Sequence, residues 1–268
     1  MRKEEIRSAG ALDYLVFTNL LAPEIVHAFT LRSGGVSFPP YEQLNMGLHV
    51  SDRPEAVLEN RRRLAAALGY EAAAVVVGEQ VHGTKIVQVT SALAGAGHRS
   101  LEDAIPTADG LICAEPGIVL MAHAADCTLL YFYDPLERII GLAHAGWRGA
   151  VAQMGPLMID AFVRLGSRSE NIRAALSPSI GPCCYQVGAQ VIEKIPAHLQ
   201  QAVVGRKEGY YYFDLPEFHR LLLLEAGLCA ENIVKSSYCT ACHTDLFYSY
   251  RMSGGRTGRM AGIISMKW

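Results

Sequence analysis

A chain of 268 residues, 50% hydrophobic and 19% charged, has the size and make-up of a soluble enzyme with a substantial core. Its 24 lysines and arginines stand against 26 aspartates and glutamates, and the formal net charge of −2 excludes the basic footprint of a nucleic-acid binder. The opening residues, Met-Arg-Lys-Glu-Glu-Ile-Arg, are charged where a secretion signal or membrane span needs an apolar run, so a cytoplasmic protein without membrane contact is expected. Seven cysteines, several in apolar segments, fit a reducing compartment without structural disulfides.

In chain order, residues 13–31 predict two strands around a turn at Pro23. Residues 32–47 then form a Gly/Pro-rich loop long enough to suggest function, with Asn45 and Gly47 as its notable members. The spacing of Ala56, Val57, Leu64, Ala67 and Leu68 predicts a helix over 52–69 that carries Arg61 and stops at Gly69. Strands at 73–77 and 85–89 flank a turn that holds His82. The apolar runs 111–113 and 118–123 lead into the segment on which the whole reading turns.

Residues 128–133 and 139–143 are short aromatic and β-branched runs joined at Asp134-Pro135, the pattern of an antiparallel hairpin. Cys127 starts one strand and His144 ends the next, so the hairpin brings a thiol and an imidazole together. Arg148 follows at the start of a helix-like segment, 150–165, where its guanidinium can meet an anion. Further on, the pattern gives a strand at 171–176, a turn-rich loop at 177–185, a helix-like stretch at 187–195 and a strand at 209–213. A helix at 215–227, a strand at 232–236, an irregular segment at 237–258 and a last strand at 259–266 complete the chain. Strands and helices mix without βαβ alternation, which predicts an α+β fold: a single domain, residues 1–268, of mixed β-sheets packed by helices.

One thiolate and two imidazoles suit zinc, and three protein ligands leave a fourth position open. His82, Cys127 and His144 are therefore the candidate metal ligands and catalytic residues, weighed against a core cysteine and two unrelated histidines. Cys239-Thr240-Ala241-Cys242-His243 matches the attachment motif of a c-type haem and half of a zinc site, for which Cys183 and Cys184 could be partners. Haem attachment needs an exported chain and is disfavoured.

The order of motifs then carries a resemblance. Arg32-Ser33-Gly34-Gly35-Val36-Ser37, Leu44-Asn45-Met46-Gly47, Glu59-Asn60-Arg61, Gln80-Val81-His82-Gly83, Ala108-Asp109-Gly110 and Ala125-Asp126-Cys127 are followed by Ala143-His144-Ala145-Gly146-Trp147-Arg148-Gly149. Pro178-Ser179-Ile180-Gly181-Pro182, Asp214-Leu215 and Ser249-Tyr250-Arg251 complete the set. The chain resembles the laccase-domain family of polyphenol oxidases, peptidoglycan editing factors and purine nucleoside phosphorylases of the YfiH/YlmD type. The resemblance implies zinc on His82, Cys127 and His144. It also implies phosphorolysis of adenosine, inosine and methylthioadenosine, with adenosine deamination as a second activity. Thr128 stands where a proline is common and Ala150 where a threonine is common; neither touches a proposed ligand.

On this reading purine nucleoside and phosphate are the substrates of a monomer, and Arg148, Arg61 and Asn45 are the candidate substrate-binding residues. Asp126 is a candidate for proton transfer. Two alternatives stand beside it. One is a metal-free hydrolase acting on a peptidoglycan precursor, with Cys127 as nucleophile and His144 or His82 as base. The other is a copper polyphenol oxidase, with Cu2+ in place of zinc.

Overall fold

Apolar runs broken by Gly-, Pro- and Asp-rich turns divide the described residues, 3–267 of this computed structural model, into short strands and helices. In order these are β1 (Glu4–Ala9), β2 (Leu12–Phe17), β3 (Ile25–Thr30), α1 (Pro54–Leu68), β4 (Val75–Val77), β5 (Ile86–Val89), β6 (Gly110–Cys113) and β7 (Val119–Ala124). The central hairpin follows as β8 (Thr128–Asp134) and β9 (Ile139–Ala145), then α2 (Trp147–Val151), α3 (Met154–Arg164) and β10 (Arg173–Leu176). The remainder is β11 (Gln186–Val187), α4 (Ala189–Ile192), α5 (Ala197–Val203), β12 (Val204–Lys207), β13 (Tyr210–Phe213), α6 (Leu215–Glu225), β14 (Ile233–Lys235) and β15 (Met260–Met266).

Two six-stranded mixed sheets result, ordered β1-β2-β3-β15-β7-β4 and β14-β10-β8-β9-β6-β5, with a small sheet β11-β13-β12 beside them. Every residue of β8 and β9 is buried, which explains why both read as continuous apolar runs and not as alternating ones. One face of the second sheet packs on the first: Leu129, Tyr131 and Leu142 share a core with Phe17, Phe29 and Leu120. The Tyr131 hydroxyl donates to Ala28 O across that interface at 2.8 Å. The outer faces are covered by α1, through Leu64 against Val75 and Met121, and by α3 and α6, through Phe162 and Leu223 against Phe132. Each large apolar side chain so buried contributes roughly 2 kcal/mol. Gly141 makes the α3 contact close, since a Cβ there would lie 2.7 Å from both Met158 and Phe162.

The expected helix at 150–165 is broken. Gln153 takes a left-handed conformation at φ 67°, and Pro156 has no N–H to offer residue 152, so the ladder restarts as α3. The helix-like stretch at 187–195 is a two-residue strand and a single turn. β1, α5 and β12 were not expected.

Two connections cross from the first sheet to the second: residues 78–85 between β4 and β5, and Ala125-Asp126-Cys127 between β7 and β8. Both end where β9 delivers His144.

Candidate active site and metal centre

Leu129 is the register partner of His144 and Thr128 that of Ala145, so Cys127, one residue before β8, stands beside the end of β9. The turn at 81–83 brings in His82, whose φ of 60° is a left-handed conformation that histidine tolerates better than most residues. The ligand atoms of His82, Cys127 and His144 lie within 4.8 Å of one another, and the two imidazoles stand edge to face at 4.9 Å. These three residues form a group able to hold a metal ion. Gly146 makes room for it: a Cβ there would lie 2.6 Å from Cys127 Sγ.

A buried carboxylate organises the group. Asp109 Oδ1 bonds His144 Nδ1 at 2.9 Å, and the two carboxylate oxygens accept from the N–H groups of Val81, His82 and Gly83 at 3.1, 3.1 and 2.8 Å. One side chain thus fixes the His82 turn and leaves His144 Nε2 for the convergence point, the usual second partner of a metal-binding histidine. Burial disfavours charge on Asp109, Cys127 and His144, but attraction and hydrogen bonding within the group outweigh it. Against burial, His144 and His82 draw the Cys127 thiol down to about 6; against burial, the Cys127 thiolate and Asp109 lift His144 to about 9. A thiolate is the form that binds a metal.

The group opens into a cavity of about 500 Å³, within the range of small-molecule sites. Arg148, Arg251 and Arg259 line it, each over an aromatic ring: Trp147 at 4.7 Å, Tyr185 at 5.3 Å and Tyr250 at 5.6 Å. Among the described residues none of the three arginines pairs with a carboxylate. Arg251 Nη1 donates to Gln186 O and Arg259 Nη1 to the carbonyls of Thr257 and Gly258, and each guanidinium keeps further N–H groups for an anion.

The chain matches the family described as multi-copper polyphenol oxidoreductase laccase over residues 26–267. It belongs to that family. It is 37% identical to the purine nucleoside phosphorylase YlmD of Bacillus subtilis, an alignment that covers 93% of this chain and 91% of the relative. It is 32% identical to the adenosine deaminase RL5 of an unknown prokaryotic organism, over 88% and 92% of the two chains. The solved structure of the Bacillus licheniformis hypothetical protein YfiH superposes with a TM-score of 0.92 at 36% identity, covering 98% of this chain and 99% of that one.

Within this family frame the structure brings His82, Cys127, His144 and Arg148 to one cavity and leaves Arg61 and Asn45 outside it. Both side chains are buried and bonded elsewhere. The Arg61 guanidinium is buried, donates to the carbonyls of Met46, Gly97 and His98, and reaches His123 Nε2 at 3.2 Å. It supports His123, which lines the cavity, from behind. Asn45 brackets its own loop: Oδ1 accepts from the N–H groups of Gly47 and Arg259, and Nδ2 donates to Asp52. It therefore positions Arg259.

The Asp126 carboxylate is taken up by three donors, Thr240 Oγ1, Ser249 Oγ and the Arg251 N–H. Asp109, Tyr185 and Arg259 escaped the sequence reading as site residues. The only available signals were the Ala108-Asp109-Gly110 motif and the lone Tyr185 and Arg259 at segment edges.

Among the described residues no helix is long and apolar enough to cross a membrane.

Proposed function

We propose that this protein is a zinc-dependent purine nucleoside phosphorylase, acting on adenosine, inosine and methylthioadenosine, with adenosine deamination as a second activity. The observation that carries this reading is the meeting, in one cavity, of a thiol–imidazole group with three arginines free of carboxylate partners. The donor set fits zinc, with one thiolate, two imidazoles and room for a fourth ligand. When bound, zinc supplies electrophilic assistance at that open position. The names of the phosphorylase and deaminase relatives point the same way. Seven unpaired cysteines suit the reducing cytoplasm, where we place the protein.

Phosphorolysis builds positive charge on the ribose as the base departs, so the attacking phosphate must be held close and its charge offset. Arg148, Arg251 and Arg259 do this, each kept in orientation by the ring beneath it. The ring of Tyr250, half-exposed at the cavity, offers the purine an aromatic surface. Asp109 keeps the proton on His144 Nδ1, so that Nε2 faces the reacting end.

Adenosine incubated with and without phosphate tests the reading. Adenine formed only with phosphate supports it; no base release under either condition overturns it. Arg148→Ala should raise the KM for phosphate on the order of tenfold or more, with metal content unchanged.

A second reading, a cysteine hydrolase, has one observation in its favour: Asp109, His144 and Cys127 are arranged as orienting acid, base and nucleophile. Alkylation of Cys127 that leaves phosphorolysis intact, but abolishes hydrolysis of a cell-wall amide by chelated protein, would favour it. Phenol oxidation by copper-loaded protein tests the third reading.

A further inference from the structure

Four cysteines converge at a second point, outside the cavity. Cys183 and Cys184 lie on the loop after β10, Cys239 and Cys242 on the segment after β14, and all four Sγ atoms lie within 4.8 Å of one another. Topology places them there: β10 and β14 are parallel neighbours, so both loops leave the sheet at the same end. The loops are joined by a parallel bridge between Ser179 and Cys239, with Thr240 N–H donating to Ser179 O at 3.1 Å.

The arrangement is that of a ligand shell. All four thiols are free, and Cys183 and Cys184 each place Sγ 3.4 Å from Cys242 Sγ. Four sulfurs about 2.3 Å from one zinc stand about 3.8 Å apart along the edges of a tetrahedron, and the separations here bracket that spacing. The Gly181 N–H donates to Cys239 Sγ at 3.2 Å, across from the opposite loop. His243, next to Cys242, turns away: its Nδ1 lies 3.1 Å from Cys239 O and its ring packs on Tyr238. The set is therefore all sulfur, and the haem-like spelling of Cys239–His243 has no counterpart in the structure.

We propose that Cys183, Cys184, Cys239 and Cys242 form a second, structural site for a thiophilic divalent cation, zinc foremost. Binding replaces the thiol protons, released to solvent, by four metal–sulfur bonds without any change of oxidation state. Four protein ligands close the shell, so no substrate position remains. The loops it joins supply the cavity wall with Ile180 and Tyr185 on one side and Tyr250 and Arg251 on the other. Both are also tied to Asp126, through Ile180 N–H to its carbonyl at 2.9 Å and through Thr240 Oγ1 and Arg251 N–H to its carboxylate at 2.6 and 2.7 Å. The cation fixes the wall that carries Arg251. This holds whatever reaction the cavity performs.

The test is the metal content of the full chain, produced with zinc in the medium and purified without chelator. Two zinc ions per chain are expected, falling to one in Cys242→Ser, in Cys183→Ser and in His82→Ala, and to none in the Cys242→Ser/His82→Ala double variant. Should the serine variants fail to fold, His82→Ala loaded with cobalt alone isolates the second cluster. An intense thiolate-to-cobalt charge-transfer absorption with tetrahedral ligand-field bands is expected. A wild-type content of one zinc that His82→Ala abolishes would overturn the proposal. So would ready alkylation of all four cysteines in native protein before chelation, an intact mass lowered by disulfide formation among them, or a cobalt spectrum without thiolate bands.

Discussion

Gly146 shows how little space the metal-binding group has. Its backbone is extended, at φ −73° and ψ −172°, so alanine is conformationally acceptable there; the obstacle is the 2.6 Å approach of a Cβ to Cys127 Sγ. Gly146→Ala should fold yet lose most of its bound metal, as metal analysis of the purified variant would show. Asp109→Asn removes the charge that orients His144 and gathers the 81–83 turn, and a drop in metal affinity of roughly 10- to 100-fold is expected from competition with a chelating dye. Cys127 and His144 were legible as a pair because a hairpin is a local device and its register is written in two apolar runs. Asp109 was not, since its partners come from separate segments. The surroundings of Arg61 were hidden for a related reason: sequence shows a charge but not its destination, and here three carbonyls and a histidine take up the guanidinium. Burial pulls its pKa down to about 10, still charged at neutral pH.

Elements with both a periodic pattern and a terminal signal were read well. α6 is one: Asp214 caps it by accepting the Glu217 N–H at 2.9 Å, Pro216 sits in its first turn, and Leu215 reaches the cavity. Asp214→Ala should lower stability by about 1 kcal/mol in denaturant unfolding, with little change in metal content. The elements that were missed lack such signals. β1 reads Glu-Glu-Ile-Arg-Ser-Ala and stays half-exposed at a sheet edge, held by its pairing with β2 rather than by apolar alternation. The break between α2 and α3 was encoded in Pro156, but the surrounding apolar periodicity outweighed it in the reading.

At the scale of the whole molecule, the sandwich buries histidines that must stay neutral. Burial drives His27 down to about 4, with Arg7 opposing its charge nearby, and its Nε2 accepts the Phe17 N–H at 2.8 Å, a bond the neutral ring makes. Its folded pKa lies below the unfolded value, so the unfolded chain takes up the proton first. The stability it confers is complete above about pH 6.5 and is lost as pH falls toward 4, by roughly 3 kcal/mol in all. Denaturation midpoints at pH 7.5 and pH 5 should therefore differ more for the wild type than for His27→Gln; parallel shifts in the two proteins would contradict this assignment. The two-layer core was legible as hydrophobic runs, whereas the order of strands within each sheet was not, because neighbours such as β15 and β3 are paired across most of the chain.

The two crossings that carry His82 and Cys127 are also the two places where the chain passes from the first sheet to the second. An ion gripped there is a rivet through both layers. Its withdrawal would leave the shared core to hold the layers alone, so metal-free protein should unfold at a lower temperature than metal-loaded protein in a thermal scan.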